Sequence, residues 1–264
     1  VPRAKRRLGQ HFLTDPRILQ RIADALGATA DDTVLEIGPG PGGLTEVLAE
    51  RAGRLVALEK DADLVPGLRQ RVPTATVLEA DALEADWHAI AGPDLLVAGN
   101  IPYNITSPLI DKALAPPRPR RIVFLVQKEV ADRVGAAPGS GAYGALSVGV
   151  QAVATAERLF TVPAGAFQPR PKVDSAVLRL TPLAEPLVRD EEVEPFRRLV
   201  VGLFGFRRKQ IGRGLRELTG WETGRVEGAL ARAGIAPTVR PETVAPARLA
   251  ALLRALVDGG WTPR

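Results

Sequence analysis

Hydrophobic positions alternate between two rhythms over the first two-thirds of this chain and keep a single rhythm over the last third. Behind Asp15-Pro16, a helix N-cap followed by a first-turn proline, Ile18, Leu19, Ile22, Ala23 and Leu26 share one helical face. Short apolar runs follow at Thr33 to Ile37, Arg54 to Leu58, Thr76 to Leu78, Leu95 to Ala98 and Ile122 to Val126. Helical patterns lie between them: one opens with Leu44, Val47 and Leu48, one covers Ala62 to Val72 with Pro66 near its start, and one covers Ser107 to Ala115. Strands alternating with helices predict a parallel sheet covered on both faces.

Leu146 to Val153 and Val173 to Leu180 read as β-like on either side of a proline-rich loop, which predicts an antiparallel pair at one sheet edge. Thr181 to Pro195 holds three prolines and a run of acids, and beyond it the pattern is helical at Phe196 to Phe204, Lys209 to Leu218, Val226 to Ala233 and Ala247 to Leu256. The expected organisation is an α/β domain with a basic N-terminal tail over residues 1–182 and a small all-helical domain over residues 183–264.

Composition narrows the chemistry. A length of 264 residues with 45% hydrophobic content is enough to bury a real core. No run of eighteen apolar residues occurs, and the basic start leads into Gly9-Gln10-His11-Phe12, so neither a membrane span nor a secretory peptide is expected and the chain reads as soluble and cytoplasmic. Without cysteine, and with His11 and His88 alone, disulfides and ordinary zinc sites are excluded, and no metal is expected. Charge is uneven: residues 1–21 hold six Lys/Arg against Asp15, residues 183–264 hold fourteen against ten acids, and the middle is net negative. Basic ends around an acidic middle point to a polyanion held by the termini.

Gly38-Pro39-Gly40-Pro41-Gly42-Gly43 occupies the first strand-to-helix turn, where glycine lets the backbone approach a ligand, and Glu59 ends the next strand, where an acid can hold two ribose hydroxyls. Alone, that pattern also fits a nicotinamide or flavin enzyme. Glu36 beside the loop would repel a pyrophosphate and attract an amino group, and Asp81 after the third strand is placed to accept from an adenine amine, with Leu58 and Ala82 flanking the ring. Three acids at the ends of three successive strands suit the cationic S-adenosylmethionine better than a dinucleotide.

Asn100-Ile101-Pro102-Tyr103 follows the fourth apolar run. The Asn100 side-chain oxygen and the Ile101 carbonyl can both accept from one exocyclic amine, Tyr103 offers a stacking face, and Phe167 can close the other face of the base. Adenine N6 is a poor nucleophile because its lone pair is delocalised. Two acceptors that strengthen as charge builds on nitrogen would favour the pyramidal, reactive geometry.

Further landmarks are Leu8 to Leu13, Glu36 to Gly40, Leu58 to Asp61, Gly99 to Asn104, Val126 to Val130, Ala142-Tyr143-Gly144 with Leu146-Ser147, Pro169 to Ser175, and Phe206 to Lys209. With these the chain resembles, over nearly its whole length, the family of ribosomal RNA adenine dimethyltransferases. Within that family it is most similar to the branch that dimethylates two adjacent adenosines in the 3′-terminal hairpin of small-subunit (16S) RNA. The resemblance implies a Rossmann-like S-adenosylmethionine-dependent methyltransferase domain and a helical domain gripping the small ribosomal subunit or its precursor, in a monomer. It implies a cofactor site lined by His11, Leu13, Gly38, Glu59, Asp81 and Asn100, to which the reading of the strand ends adds Glu36, Gly40, Lys60 and Ala82, and a target base held by Asn100, Tyr103 and Phe167, to which that reading adds Ile101. His11 departs from the Asn common at that place. Arg6, Arg7, Arg207, Arg208 and Lys209 are the expected RNA phosphate contacts. The rival readings are a large-subunit (23S) RNA adenine methyltransferase conferring antibiotic resistance, which Ala142 to Ser147 disfavours, and a non-catalytic nucleic-acid-binding assembly factor.

Overall fold

The computed structural model describes residues 4, 5 and 8–262, so Arg6 and Arg7, two of the expected RNA contacts, lie outside the described residues. In chain order the elements are β1 (Phe12–Leu13), α1 (Pro16–Leu26), β2 (Thr33–Ile37), α2 (Gly43–Ala49), β3 (Arg54–Glu59), α3 (Val65–Arg71), β4 (Thr76–Glu79), α4 (Trp87–Ala91), β5 (Leu95–Asn100), α5 (Thr106–Ala113), β6 (Arg121–Gln127) and α6 (Lys128–Val134). They continue with α7 (Ala145–Gln151), β7 (Ala154–Val162), β8 (Phe167–Gln168), β9 (Ser175–Pro182), α8 (Val193–Gly205), α9 (Ile211–Thr219), α10 (Thr223–Arg232) and α11 (Pro246–Asp258). Two compact units result: residues up to Ala131 with Ala156–Pro182, and Asp132–Thr155 with the chain from Leu183 on.

The first unit is built on a seven-stranded sheet of order β4-β3-β2-β5-β6-β9-β7. β2 pairs in parallel with β3 and β5, β3 with β4, and β5 with β6, whereas β9 runs antiparallel to β6. Apart from its last residue β5 is buried, and β6 is buried between its two end residues, which is why both read as continuous apolar runs. After β2 the chain winds outward through β3 and β4, then returns to lay β5 on the other side of β2. Such a reversal opens a crevice beyond the carboxyl ends of β2 and β5. The helix α1 covers one face with Ile18, Leu19, Ile22, Ala23 and Leu26 buried. Asp15 starts it by accepting from Arg17 N–H at 2.9 Å and Ile18 N–H at 3.4 Å. Asp15→Ala is expected to lower stability by about 1 kcal/mol in urea unfolding, the ordinary cost of losing a helix cap.

One expected strand is a helix. Leu146 to Val153, expected at the sheet edge, falls largely in α7 (Ala145–Gln151), and the edge is made instead by β9 and by β7. A short apolar run carries no period long enough to separate strand from helix. The local deciding contact is Ser147 Oγ, which accepts from Gly144 N–H at 3.0 Å at the helix start and donates to Arg133 O at 2.5 Å. Residues 132–155 therefore pack with the helical unit rather than within residues 1–182.

In the second unit, Phe196, Leu199, Val200 and Leu203 of α8 and Leu249, Leu252, Leu253 and Leu256 of α11 are buried. Tyr143, fully buried, donates its hydroxyl to Val244 O at 2.8 Å and meets the Phe204 ring edge-on at 6.0 Å. Within the acidic run before α8, Glu192 is buried and accepts from Arg189 and Arg254. The Arg254 guanidinium, followed by Arg189, holds its carboxyl down at about 2.

Candidate active site

The carboxyl ends of β2 to β5 converge on one cavity. One side is walled by Gly38, Gly40, Leu58, Glu59, Lys60, Asp81 and Ala82, the other by His11, Asn100, Ile101 and Tyr103. The glycine turn earns its residue type at Gly40, where φ is +58° and an added Cβ would lie 3.1 Å from the Phe12 ring. Gly40 N–H donates to Glu59 Oε2 at 3.0 Å and Asp61 N–H to Oε1 at 2.7 Å, so both oxygens of Glu59 are fixed in place while retaining lone pairs for a ligand. Burial raises the Glu59 carboxyl above the ordinary range, against the pull of those backbone donors.

Asp81 is held by the Lys60 ammonium at 2.5 Å and by Leu83 N–H at 2.9 Å. The Lys60 hydrogen bond keeps its carboxyl below the usual range, so Asp81 is an anion with its orientation set by Lys60. Ala82 is fixed from behind by Trp87 Nε1, which donates to its carbonyl at 2.9 Å.

On the opposite wall, Asn100 Nδ2 donates to the His11 carbonyl at 2.8 Å. Because a carbonyl only accepts, that bond fixes which end of the amide is which and leaves Asn100 Oδ1 as the acceptor. Tyr103 is anchored by a 2.8 Å hydrogen bond between its hydroxyl and Ser175 Oγ. His11 lies over it with ring centroids 5.5 Å apart and planes 25° apart, its Nδ1 donating to Pro169 O at 2.7 Å.

Sequence reasoning missed the clamp that holds the N-terminal segment. Buried Asp61 accepts from Lys5 at 2.5 Å and from Gln10 Nε2 at 2.9 Å. Burial pushes the Asp61 carboxyl up, and the Lys5 and Gln10 hydrogen bonds outweigh it, for a net lowering. The signal available was an acid two positions beyond Glu59 facing a chain start with Lys5 and Gln10. A second cavity, walled by Lys5, Gln10, His11, Asp61, Tyr103, Arg170 and Lys172 among others, adjoins the first across His11 and Tyr103.

Three expected site residues are not on the cavity wall. Glu36 is 1% exposed, and by strand alternation it shares the sheet face of Val34, which packs with α1 and α2. The Thr45 hydroxyl of α2 lies close enough to oppose the effect of burial, but neither it nor Glu36 Oε2 reaches a hydrogen-bond partner among the described residues. Burial, aided by the charge of Glu59, raises the Glu36 carboxyl from 4.5 to about 8. The folded state then binds a proton that the unfolded chain has released, so stability falls as pH rises from 4.5 to about 8. Glu36→Gln is expected to flatten that slope, whose total is at most roughly 5 kcal/mol, in urea midpoints measured across this window. Leu13 and Phe167 pair across the two-stranded sheet β1·β8, and both side chains belong to the core cluster with Ile18, Leu19 and Val177. Of the expected RNA contacts in the turn after α8, Arg207 is engaged with Glu242 at 2.5 Å and Gly141 O at 3.0 Å, Lys209 lies 4.9 Å over the Phe206 ring, and Arg208 is exposed.

Among the described residues no group of three His, Cys, Asp or Glu is gathered to hold a metal, and no helix is long and apolar enough to cross a membrane. A mostly parallel sheet with acids and glycines at the carboxyl ends of its strands, followed by a helical unit, is the architecture of a Rossmann-like S-adenosylmethionine-dependent methyltransferase. The chain belongs to the ribosomal RNA adenine dimethylase family, whose sequence profile matches residues 1–254. Relatives named ribosomal RNA small subunit methyltransferase A include that of Acidithiobacillus ferrooxidans, 43% identical over 98% of this chain and 97% of its own, and that of Geobacillus thermodenitrificans, 41% identical over 96% and 91%. Among solved structures, the 23S rRNA methyltransferase ErmE is 32% identical, with a TM-score of 0.70 over 93% of this chain and 99% of its own. A dimethyladenosine transferase from Plasmodium falciparum, 24% identical, shares the fold with a TM-score of 0.84 over 96% of this chain and 100% of its own.

Proposed function

We propose that this protein transfers methyl groups from S-adenosylmethionine to N6 of two adjacent adenosines in the 3′-terminal hairpin of small-subunit (16S) ribosomal RNA, in the cytoplasm during assembly of the subunit. The carrying observation is Asn100, whose amide is oriented by the His11 carbonyl so that Oδ1 is the acceptor beside Ile101 and Tyr103.

The residues present fit the cofactor: a backbone-anchored Glu59 suits a ribose diol, the anionic Asp81 suits an adenine amine, and glycine at 38 and 40 leaves room for close approach. When bound, S-adenosylmethionine supplies an intrinsically activated methyl group. The protein's part is orientation and electrostatics. Asn100 Oδ1 and the Ile101 carbonyl accept from the target amine and favour the pyramidal nitrogen, stabilising the positive charge that builds there. Tyr103, pinned by Ser175, supplies the stacking face. After the first methylation the amine keeps one hydrogen and must rotate, so only one of the two acceptors is used in the second transfer. Arg208 is the exposed cation of its turn available to RNA phosphate, with Arg207 shared between Glu242 and any such contact.

Incubation with labelled S-adenosylmethionine and either small or large ribosomal subunits lacking the modification tests this reading. Label on small subunits as N6,N6-dimethyladenosine is the expected result. Label on large-subunit RNA would replace it with the resistance-type activity, and binding without label would make the protein a non-catalytic assembly factor.

A further inference from the structure

Glu242 is an acid set among arginines in the helical unit. The sequence supplies Arg207, Arg208 and Lys209 after α8 and Arg240 just before Pro241, cations suited to a polyanion. An acid in their midst subtracts from the attraction that RNA phosphates feel. It is nevertheless bound to them. Glu242 Oε2 accepts from Arg207 Nε at 2.5 Å, and Oε1 lies 3.9 Å from Arg240 Nη1, so one carboxyl group gathers two guanidinium groups, one at each oxygen.

The acid is itself held through its backbone. Its carbonyl accepts from Gly139 N–H at 2.7 Å, and two residues further on the Val244 carbonyl accepts from the buried Tyr143 hydroxyl at 2.8 Å. The segment carrying Glu242 is therefore fastened at two points to the loop before α7. That same loop supplies Gly141 O, which accepts from Arg207 Nη2 at 3.0 Å. Arg207 is thus fixed along its Nε–Nη2 edge by two acceptors whose segments are tied to each other. Of its five N–H donors three remain, both on Nη1 and one on Nη2. They form an edge able to meet a phosphate with two parallel hydrogen bonds, and with the side chain 42% exposed that edge is open to solvent.

We propose that Glu242 is a positioning residue of the RNA-binding surface: it locks Arg207 with its free edge outward, so that an acid placed among cations strengthens the grip on RNA phosphate. This inference rests on the proposed function. Its physical basis is side-chain entropy. A free arginine gives up rotamer freedom when it closes on a phosphate, whereas one already held by Glu242 and Gly141 has given that freedom up on folding. The gain in readiness outweighs the loss of one unit of positive charge from the surface.

The test measures filter binding of unmodified small subunits by the unaltered protein, Glu242→Ala, Glu242→Gln, Arg207→Ala and the double variant Arg207→Ala with Glu242→Ala, each well below its thermal midpoint. Charge alone predicts tighter binding once the acid is gone. Positioning predicts the opposite sign: Glu242→Ala is expected to bind roughly tenfold more weakly, the scale of one charge-assisted hydrogen bond. Glu242→Gln, which keeps the shape and one acceptor oxygen, should lose less, and it carries the test if the alanine variant does not fold. In the Arg207→Ala background, removing Glu242 should cost nothing further, because no guanidinium is left to orient. The inference is overturned if either Glu242 variant binds as tightly as the unaltered protein or tighter, or if the loss is just as large without Arg207. Failure of the unaltered protein to bind small subunits would overturn the proposed function, and this inference with it.

Discussion

Asn100→Ala protein is expected to lose about a hundredfold to a thousandfold in the rate of methyl transfer, the range seen when one pre-positioned hydrogen-bonding group is removed from a transition-state site. The loss has two sources. The acceptor for the target amine disappears, and with it the Nδ2 bond at 2.8 Å that ties the His11 carbonyl to the end of β5. Because the acceptor matters most as charge builds on nitrogen, the loss should appear in the single-turnover rate rather than in affinity for small subunits. Asn100→Asp separates the two sources. It keeps an acceptor but sets a carboxylate oxygen against the His11 carbonyl, so it should retain more activity than Asn100→Ala while still falling well below the unaltered enzyme. An Asn100→Ala rate within a few-fold of normal would remove Asn100 from the chemistry.

Gly99→Ala should be among the most destabilising single-atom additions in the first unit. Gly99 lies opposite Ile37 where β2 and β5 pair, and an added Cβ would stand 2.4 Å from Ile37 O and 2.8 Å from Ile101 Cδ1. Backbone on one side and a buried side chain on the other leave nothing cheap to move, so the cost is about 3 kcal/mol, at the upper end for overpacking. The strand pair that must yield is also the one that positions Gly38 and Asn100, so activity falls along with stability. Gly67→Ala in α3 is the matched control: nothing lies within 4 Å of its added Cβ, and alanine is expected to stabilise by about 1 kcal/mol through helix propensity. Equal urea midpoints for the two variants would contradict this packing account.

The alternation of strand and helix, the glycine turn and the acids at strand ends were legible because each is local: apolar period, turn chemistry and a spacing of a few residues place them. Glu59, Lys60, Asp81 and Asn100 therefore fall on one cavity as the sequence implies. Glu36 is off the cavity wall because strand alternation gives it the sheet face shared with Val34. Phe167 takes its place for a non-local reason, since only the pairing of β1 with β8, more than 150 residues apart, seats it beside Leu13. The Lys5–Asp61–Gln10 clamp is likewise a contact between distant segments. The landmarks at Tyr143 and Ser147 turned out to be structural: one bridges to Val244, the other starts α7. Family resemblance marks such residues as strongly as catalytic ones, and only their burial and partners tell them apart.

The central claim, two adjacent adenosines of small-subunit RNA dimethylated at N6, is tested most directly by mass spectrometry of the 3′-terminal hairpin fragment cut from small subunits before and after incubation with the enzyme and S-adenosylmethionine. The account predicts four added methyl groups, two on each of two neighbouring adenosines. An unmodified hairpin, or methyl groups confined to another fragment or to a single adenosine, would contradict it.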